Sequence, residues 1–173
     1  MKKVLVVVDM QNDFIDGALG TKEAVSIVEK AAAEIAHFTG KIFVTMDTHQ
    51  SNYLETAEGK KLPVPHCIKG TDGWLLNEKI QAALSGKDYM TIEKGTFGST
   101  RLVDEICEIG CPEELEIECF GLCTDICVVS NVLLLKANFP ESKITVKADC
   151  CAGVTPESHE AALKTMEMCQ IEI

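Results

Sequence analysis

The chain has 173 residues, of which 46% are hydrophobic, and a formal net charge of −11. This length predicts a single domain, residues 1–173, with a substantial core. The acidic balance argues against binding to nucleic acids or to anionic membranes, because both need basic patches on the protein. The acidic balance does not argue against a small-molecule substrate.

Nine cysteines are present, an odd number without the spacing of a disulfide framework. The hydrophobic run near the start is short and meets Asp9, so it does not predict a secretory signal. No apolar stretch is long enough to cross a bilayer. We therefore expect a cytoplasmic protein whose thiols are free. The pairs Cys107 with Cys111 and Cys150 with Cys151 lack the spacing of a zinc ribbon.

Strand and helix patterns alternate along the first half of the chain. Short aliphatic runs predict strands at residues 3–8, 41–46 and 89–92. Apolar residues at helical spacing predict helices at residues 21–38 and 74–84. Between them, residues 50–70 form a long polar stretch with two prolines. A loop of that length in a compact domain is usually functional.

The same alternation continues to the end of the chain. Strands are predicted at residues 115–120, 143–146 and 170–173, and helices at residues 99–109, 125–138 and 156–169. Such alternation is typical of a parallel sheet with helices on both faces. The predicted fold class is therefore α/β, a Rossmann-like three-layer α/β/α arrangement with a mostly parallel central sheet.

Chemically reactive side chains follow the predicted strands. Asp9, Asp47 and Lys94 come after the first three strands, the 123–127 segment follows the fourth, and Asp149 follows the fifth. Parallel sheets bind ligands in the crevice beyond the carboxyl ends of their strands. We therefore expect these residues to meet in one crevice.

The segment around Cys127 is a candidate nucleophile turn. An apolar strand ends near Gly121 and a helix begins near Thr124, so Cys127 is expected in the first turn of that helix. The free N–H groups and partial positive charge of a first turn stabilise a thiolate. They can also hold the oxyanion that forms when a thiolate attacks a carbonyl. The alternative is an inert buried cysteine, as most buried cysteines are.

A cysteine nucleophile needs a proton acceptor, and the histidines are poorly placed for that role. His37 and His159 lie on predicted helices and are expected at the surface, while the other two lie in the loop after the second strand. Asp9 follows an aliphatic run, so partial burial is expected to raise its pKa. A nearby Lys94 would oppose that rise and favour the thiolate, and the three groups would titrate together.

Three segments resemble the signatures of the isochorismatase-like cysteine hydrolases. They are Asp-Met-Gln-Asn-Asp-Phe at 9–14, Glu-Lys-Gly-Thr-Phe at 93–97 and Gly-Leu-Cys-Thr-Asp-Ile-Cys-Val at 121–128. The resemblance extends from the first strand to the last helix, and the three segments occur in the same order as the family's signatures. It implies a cysteine hydrolase domain with a catalytic triad of Asp9, Lys94 and Cys127.

The resemblance also implies the details of the nucleophile turn. A cis peptide bond would join Leu122 to Cys123, and the backbone N–H groups of Cys123 and Cys127 would form the oxyanion hole. Family members usually have alanine at the position of Cys123. The additional thiol is a departure that would make the site prone to oxidation.

A second group of residues suggests a metal site. Asp47 and His49 lie two apart at a strand end, and His66 returns on a proline-stiffened loop, so the three could meet and leave coordination positions open. The alternative is that the imidazoles bond to loop backbone. The set resembles the nicotinamidase (pyrazinamidase) branch of the family. That likeness implies a divalent metal (zinc first, iron or manganese otherwise), with Glu58 or, less well placed, Glu55 as fourth ligand.

Four apolar residues are candidates for the substrate pocket. Phe14 and Phe97 follow the Asp9 and Lys94 motifs and could flank a flat aromatic ring, with ordinary core packing as the alternative. Leu19 and Leu122 are weaker candidates.

The resemblance implies a function: hydrolysis of nicotinamide to nicotinate and ammonia through a thioester on Cys127, as a step of NAD salvage. A second reading is a related cysteine hydrolase that acts on another small amide. A third is a non-catalytic flavodoxin-like small-molecule or redox module, although residues 9–14 lack the glycines and hydroxyls of a phosphate-binding loop. The apolar helix at 125–138 could pack inside the domain or against a second subunit, so a homo-oligomer is left open.

Overall fold

The computed structural model describes residues 1–111 and 114–173, and a five-stranded sheet lies at its centre. The strands are β1 (Lys2–Val8), β2 (Lys41–Asp47), β3 (Tyr89–Lys94), β4 (Leu115–Leu122) and β5 (Lys143–Ala152). Every neighbouring pair is parallel, and the order across the sheet is β3-β2-β1-β4-β5. The predicted α/β class with its parallel sheet is confirmed.

Seven helices connect the strands within the described residues. They are α1 (Asn12–Ile15), α2 (Lys22–His37), α3 (Ala57–Lys61), α4 (Glu78–Leu84), α5 (Thr100–Cys107), α6 (Val129–Asn138) and α7 (Pro156–Met168). Short 3₁₀ turns cover Tyr53–Glu55 and Asp72–Trp74, and a π turn at Thr124–Val128 leads into α6. None of these helices has both the length and the apolar character needed to span a bilayer.

The sheet is covered on both faces, as a buried parallel sheet must be. Residues 4–8 of the central strand β1 are at most 1% exposed. Right-handed crossovers place the helices of the first half, α2 and α4, on one face, where they pack against each other. The crossovers of the second half place α5, α6 and α7 on the other face, where α6 contacts both neighbours.

The order of the strands reverses between β1 and β4, which creates the crevice where such folds bind ligands. The two strands approach closely at Gly121, which has a φ of +136°. A Cβ atom there would lie 2.0 Å from the carbonyl oxygen of Val8. Glycine therefore lets β4 reach the carboxyl end of β1, which brings the turn after β4 beside Asp9.

Three predictions about elements need correction. The helix expected at 74–84 begins only at Glu78, because Leu76 pairs with Gln11 and Asn77 caps the helix. Strand β5 continues to Ala152, so Asp149 lies within the strand and not after it. Its side chain is 68% exposed and pairs with a lysine of α2, so its expected place in the crevice is wrong. The last residues contribute a single bridge and no strand.

Candidate active site

Asp9, Lys94 and Cys127 meet at the carboxyl ends of the strands. Lys94 Nζ lies 2.6 Å from Asp9 Oδ2 and donates a hydrogen bond to Cys127 Sγ at 3.4 Å. The three residues are 0%, 5% and 4% exposed in the order Asp9, Lys94, Cys127. The sequence-predicted acid, lysine and thiol are thus in mutual contact and shielded from bulk water.

Asp9 is held through both its main chain and its side chain. Its φ is +47°, and its N–H donates to the carbonyl oxygen of Thr45 at 3.1 Å. Thr45 Oγ1 donates to Asp9 Oδ1 at 2.7 Å, so the other carboxylate oxygen faces Lys94. Burial raises the pKa of Asp9, the charge of Asp47 adds to the rise, and Lys94 opposes it. The direction is the one expected from the sequence.

Cys127 lies in the π turn that precedes α6. The turn is closed by a hydrogen bond from Val128 N–H to the carbonyl oxygen of Cys123 at 3.1 Å. Burial and the negative charge of Asp9 raise the pKa of Cys127 well above its ordinary value, and Lys94 offsets only part of that rise. This rise disfavours the thiolate, whereas the place of Cys127 in the chain was expected to favour it. A base is therefore needed.

Lys94 connects this group to the neighbouring carboxylate of Asp47, whose Oδ1 lies 3.8 Å from Lys94 Nζ. Burial lowers the pKa of Lys94, but the negative charges of Asp9 and Asp47 outweigh burial and hold the pKa above its usual range. The lysine stays protonated across the physiological range, so it can stabilise a negative charge on either partner without exchanging its own proton.

The turn at Thr124–Val128 is held in place by the loop after β5 and by α7. The peptide bond before Cys123 is cis, as the resemblance implies. Asp125 accepts hydrogen bonds from Val154 N–H at 3.2 Å, and Thr124 Oγ1 pairs with His159 Nδ1 at 2.8 Å. His159 was expected at the surface. It is half-buried instead, because this hydrogen bond draws it against the turn.

Two carboxylates and two imidazoles form a cluster beside Asp9, Lys94 and Cys127. One ligand atom each from Asp47, His49, Glu58 and His66 lies within 4.8 Å of all the others. Asp47 Oδ2 is 3.0 Å from His49 Nε2 and 3.5 Å from His66 Nε2, and Glu58 Oε1 is 3.7 and 3.6 Å from the same two nitrogens. This donor set fits a zinc, iron or manganese ion. Glu55 is exposed and lies outside the cluster.

Neighbouring groups fix the cluster in place. Gln11, which the sequence analysis did not single out, accepts from Asp47 N–H at 2.7 Å and donates to Asp47 O at 2.8 Å. His66 Nδ1–H donates to the carbonyl oxygen of Val64 at 2.8 Å, which leaves His66 Nε2 for the cluster. Burial raises the pKa of Asp47, but hydrogen bonds from His49 and His66 outweigh burial and hold that pKa well below its ordinary value.

A mostly apolar cavity of about 650 Å³ opens between the thiol and the cluster. Cys127 lines it on one side, and Asp47, Glu58 and His66 line it on another. All four predicted pocket residues contribute to its walls: Phe14, Leu19, Phe97 and Leu122. The structure adds Ile126, from the 121–128 segment, and two apolar residues outside the three segments, Leu62 and Val154. The cavity therefore combines mostly apolar walls with a thiol, two carboxylates and an imidazole.

Known proteins share this fold over nearly the whole chain. Residues 3–173 match the family described as Isochorismatase domain. The nicotinamidase/pyrazinamidase of Mycobacterium tuberculosis is 25% identical over 190 residues, which cover 99% of this chain and 97% of that protein. The crystal structure of nicotinamidase/pyrazinamidase PncA from Bacillus subtilis has a TM-score of 0.86 at 25% identity, with 99% and 98% of the two chains covered. That of the pyrazinamidase of Pyrococcus horikoshii in complex with zinc has a TM-score of 0.83 at 25% identity, with 100% and 98% covered.

Proposed function

This chain belongs to the isochorismatase family, and we propose that it is a metal-dependent nicotinamidase that hydrolyses nicotinamide to nicotinate and ammonia. The observation that carries the proposal is one cavity lined by Cys127 and by three of the four cluster residues. Nicotinamide presents a carboxamide carbon to the thiol and a ring nitrogen to the cluster. We assign the activity to one domain of residues 1–173.

Acylation uses the three buried groups. Asp9 accepts the proton of Cys127 as the sulfur attacks the carboxamide carbon. Lys94 stays protonated beside both and stabilises the negative charge as it moves from the carboxylate to the sulfur. The backbone N–H groups of Cys123 and Cys127 donate to the oxyanion. Asp9 then gives its proton to the leaving nitrogen, ammonia departs, and a thioester is left on Cys127.

Deacylation reverses the proton path. Asp9 takes a proton from a water molecule as the water oxygen attacks the thioester carbon. The C–S bond breaks, the sulfur leaves beside Lys94 as a thiolate, and Asp9 returns the proton to Cys127. Nicotinate is released and all three groups regain their starting charges.

We assign metal binding to Asp47, His49, His66 and Glu58, since two imidazoles and two carboxylates suit zinc, with iron or manganese as alternatives. A metal bound there would supply a Lewis acid for the pyridine nitrogen. Phe14 and Phe97 line the cavity as apolar walls, which would hold the ring with its carboxamide toward the sulfur.

Metal removal gives the first prediction. A chelator is expected to lower nicotinamide hydrolysis by at least about tenfold, because the ring loses the contact that orients it. Added zinc, iron or manganese should restore the rate. The measurement is ammonia release together with the metal content of the protein. Benzamide has no ring nitrogen, so any slow turnover of benzamide should not depend on metal. Full activity toward nicotinamide in metal-free protein would contradict the proposal.

The same assay separates nicotinamide from other substrates. Ammonia release is compared for nicotinamide and for small aliphatic amides at equal concentration. A marked preference for nicotinamide supports the proposal. A preference for another amide would assign the chain to a different activity of the same fold.

The raised pKa of Asp9 gives the second prediction. The base must be ionised to accept the thiol proton, so kcat/KM should fall as the pH drops through the pKa of Asp9. Because burial raises this pKa above 3.8, the fall should begin at a higher pH than for an ordinary carboxyl group. A pH profile of kcat/KM, with circular dichroism to confirm folding at each pH, measures it.

The Thr45→Val variant tests whether Asp9 causes the acid limb, that is, the fall of kcat/KM at low pH. Thr45 donates to Asp9 Oδ1 and thereby lowers the pKa of Asp9. Its loss should move the acid limb to still higher pH, whereas titration of the metal ligands should be unaffected. A limb that stays in place would show that Asp9 is not the base.

The cellular setting follows from the same chemistry. We propose a cytoplasmic enzyme of NAD salvage, because nicotinate is a precursor that salvage reactions can use. All nine cysteines lie in the described residues and none forms a disulfide there, which suits a reducing compartment.

A further inference from the structure

Asn131 is a buried amide on the apolar helix α6, one turn after Cys127, and it is 0% exposed. Its Nδ2 group donates to the carbonyl oxygens of Cys127 at 2.8 Å and Phe97 at 3.1 Å. Its Oδ1 atom accepts from Ser99 N–H at 2.9 Å. Both N–H bonds and the carbonyl oxygen of the side chain are therefore used.

These bonds join the nucleophile turn to the loop at residues 95–98. The loop connects Lys94, at the end of β3, with Ser99, whose hydroxyl caps α5 by accepting from Leu102 N–H. The loop packs tightly on α6, since a Cβ atom at Gly98 would lie 3.2 Å from the carbonyl oxygen of Ser130. The position of the loop thus depends on its contacts with α6.

The contact between the 95–98 loop and α6 affects the cavity through Phe97. Its ring lines the cavity but is 47% exposed, so packing supports it on one side only. The place of the ring is set by the main chain that carries it, and the Phe97 carbonyl is the atom that Asn131 holds. The same amide nitrogen holds the carbonyl of Cys127.

We propose that Asn131 is a positioning residue that sets the distance between the Phe97 wall of the substrate cavity and the Cys127 nucleophile. The inference rests on the proposed function and adds a specificity determinant to it. Without the amide, two carbonyl groups and the Ser99 N–H would lose a partner in a buried site. The loop would then move outward to reach water and carry the Phe97 ring with it.

The expected kinetic effect is on KM more than on kcat. Phe97 contacts the ring in the ground state and in the transition state alike, and loss of such uniform binding raises KM. Lys94 is held independently of the loop, because its carbonyl accepts from Thr48 N–H at 2.8 Å and it pairs with Asp47 in the sheet. The catalytic charges therefore stay in place.

A double-mutant cycle tests the proposal. Asn131→Leu keeps the size of the side chain and removes its hydrogen bonds, and Phe97→Ala removes the wall directly. Each is expected to raise KM for nicotinamide about tenfold while kcat changes less than about threefold. Because Asn131 acts through Phe97, the double variant should also raise KM about tenfold and not about a hundredfold. Additive effects would overturn the proposal.

The control is Leu135→Ala, which destabilises the same helix from a buried position one turn further on. It should lower the melting temperature without raising KM. An equal rise in KM for this variant would show that Asn131 has a merely structural role. If Asn131→Leu does not fold, Asn131→Asp takes its place, since it keeps the acceptor for Ser99 and loses both donors. An unchanged KM in the folded variant would overturn the proposal.

Amide hydrogen exchange at Ser99 measures the contact between Asn131 and the loop without any substrate. Exchange should be faster in Asn131→Leu, which removes the acceptor of the Ser99 N–H, than in the wild type or in Leu135→Ala, and equal rates would overturn the inference. If the wild-type protein did not hydrolyse nicotinamide, the proposed function would fail, and this measurement would still decide whether Asn131 holds the loop.

Discussion

Replacing Cys127 with alanine is expected to abolish nicotinamide hydrolysis, with a loss in kcat of at least about 10⁴-fold. Alanine has no atom that can attack the carboxamide carbon, and the remaining groups cannot form the thioester. Ammonia release under single-turnover conditions measures the loss, and mass spectrometry of the acidified reaction should show a nicotinoyl adduct on the wild type and none on the variant.

The variant should keep its fold, because Lys94 and Asp9 keep their ion pair when the thiol is lost, and alanine is only slightly smaller than cysteine. Cys119→Ala is the matched control: this thiol is also fully buried, in β4, but lies outside the cavity lining. It should keep its activity. Turnover by Cys127→Ala would end the mechanism proposed here, and so would an equal loss in the Cys119 variant.

Replacing Lys94 with methionine is expected to lower kcat/KM by at least about 10³-fold and also to destabilise the protein. Asp9 would be left buried without its cation, so its pKa would rise further and its protonated form, which cannot act as the base, would be favoured. The base is then lost along with the charge that stabilises the sulfur. Removing one partner of a buried ion pair costs about 3–5 kcal/mol of unfolding free energy.

The destabilisation should depend on pH with a definite sign. With Lys94 gone, the pKa of Asp9 in the folded state lies further above its unfolded value, so the protonated form favours folding. The stability deficit of Lys94→Met should therefore be smallest below the pKa of an unfolded aspartate, 3.8, and grow as the pH rises above it. Chemical unfolding at several pH values measures it, and a deficit that grows toward acid would contradict the ion pair.

Adding Asp9→Asn to the Lys94 variant separates stability from catalysis. The double variant has no buried charge at either position, so most of the lost stability should return. Activity should not return, because neither the base nor the cation is present. A double variant as unstable as the single one would show that Lys94 contributes mainly through packing.

Local signals in the sequence were enough to find most of the strands and helices. A buried parallel strand such as β1 is aliphatic throughout, and an amphipathic helix such as α2 repeats its apolar residues at helical spacing. The predicted bounds of this helix, 21–38, lie within one residue of the observed Lys22–His37 at each end. These features depend on neighbouring residues only, which is why they could be predicted.

Contacts between distant segments could not be derived in this way. Asp149 was assigned to the crevice because strand β5 was predicted too short, and the extent of a strand depends on its partner. His159 bonds Thr124 only because α7 packs on the turn before α6. Glu58 was preferred to Glu55 as the fourth ligand without a geometric reason, and the short helix α3 supplies that reason because it places Glu58 near the two histidines.

The sequence by itself determined which reactive side chains lie at the edge of the sheet, because the residue that follows a strand is its neighbour in the chain. Only the tertiary structure decided how those groups act on one another. The parallel register of β2 and β3 places Lys94 beside Asp47. Gly121 lets the turn that contains Cys127 lie next to Asp9. Burial then shifts the pKa of each of these groups. Proton affinities and buried amide contacts such as those of Asn131 arise from three-dimensional surroundings, which no linear pattern records.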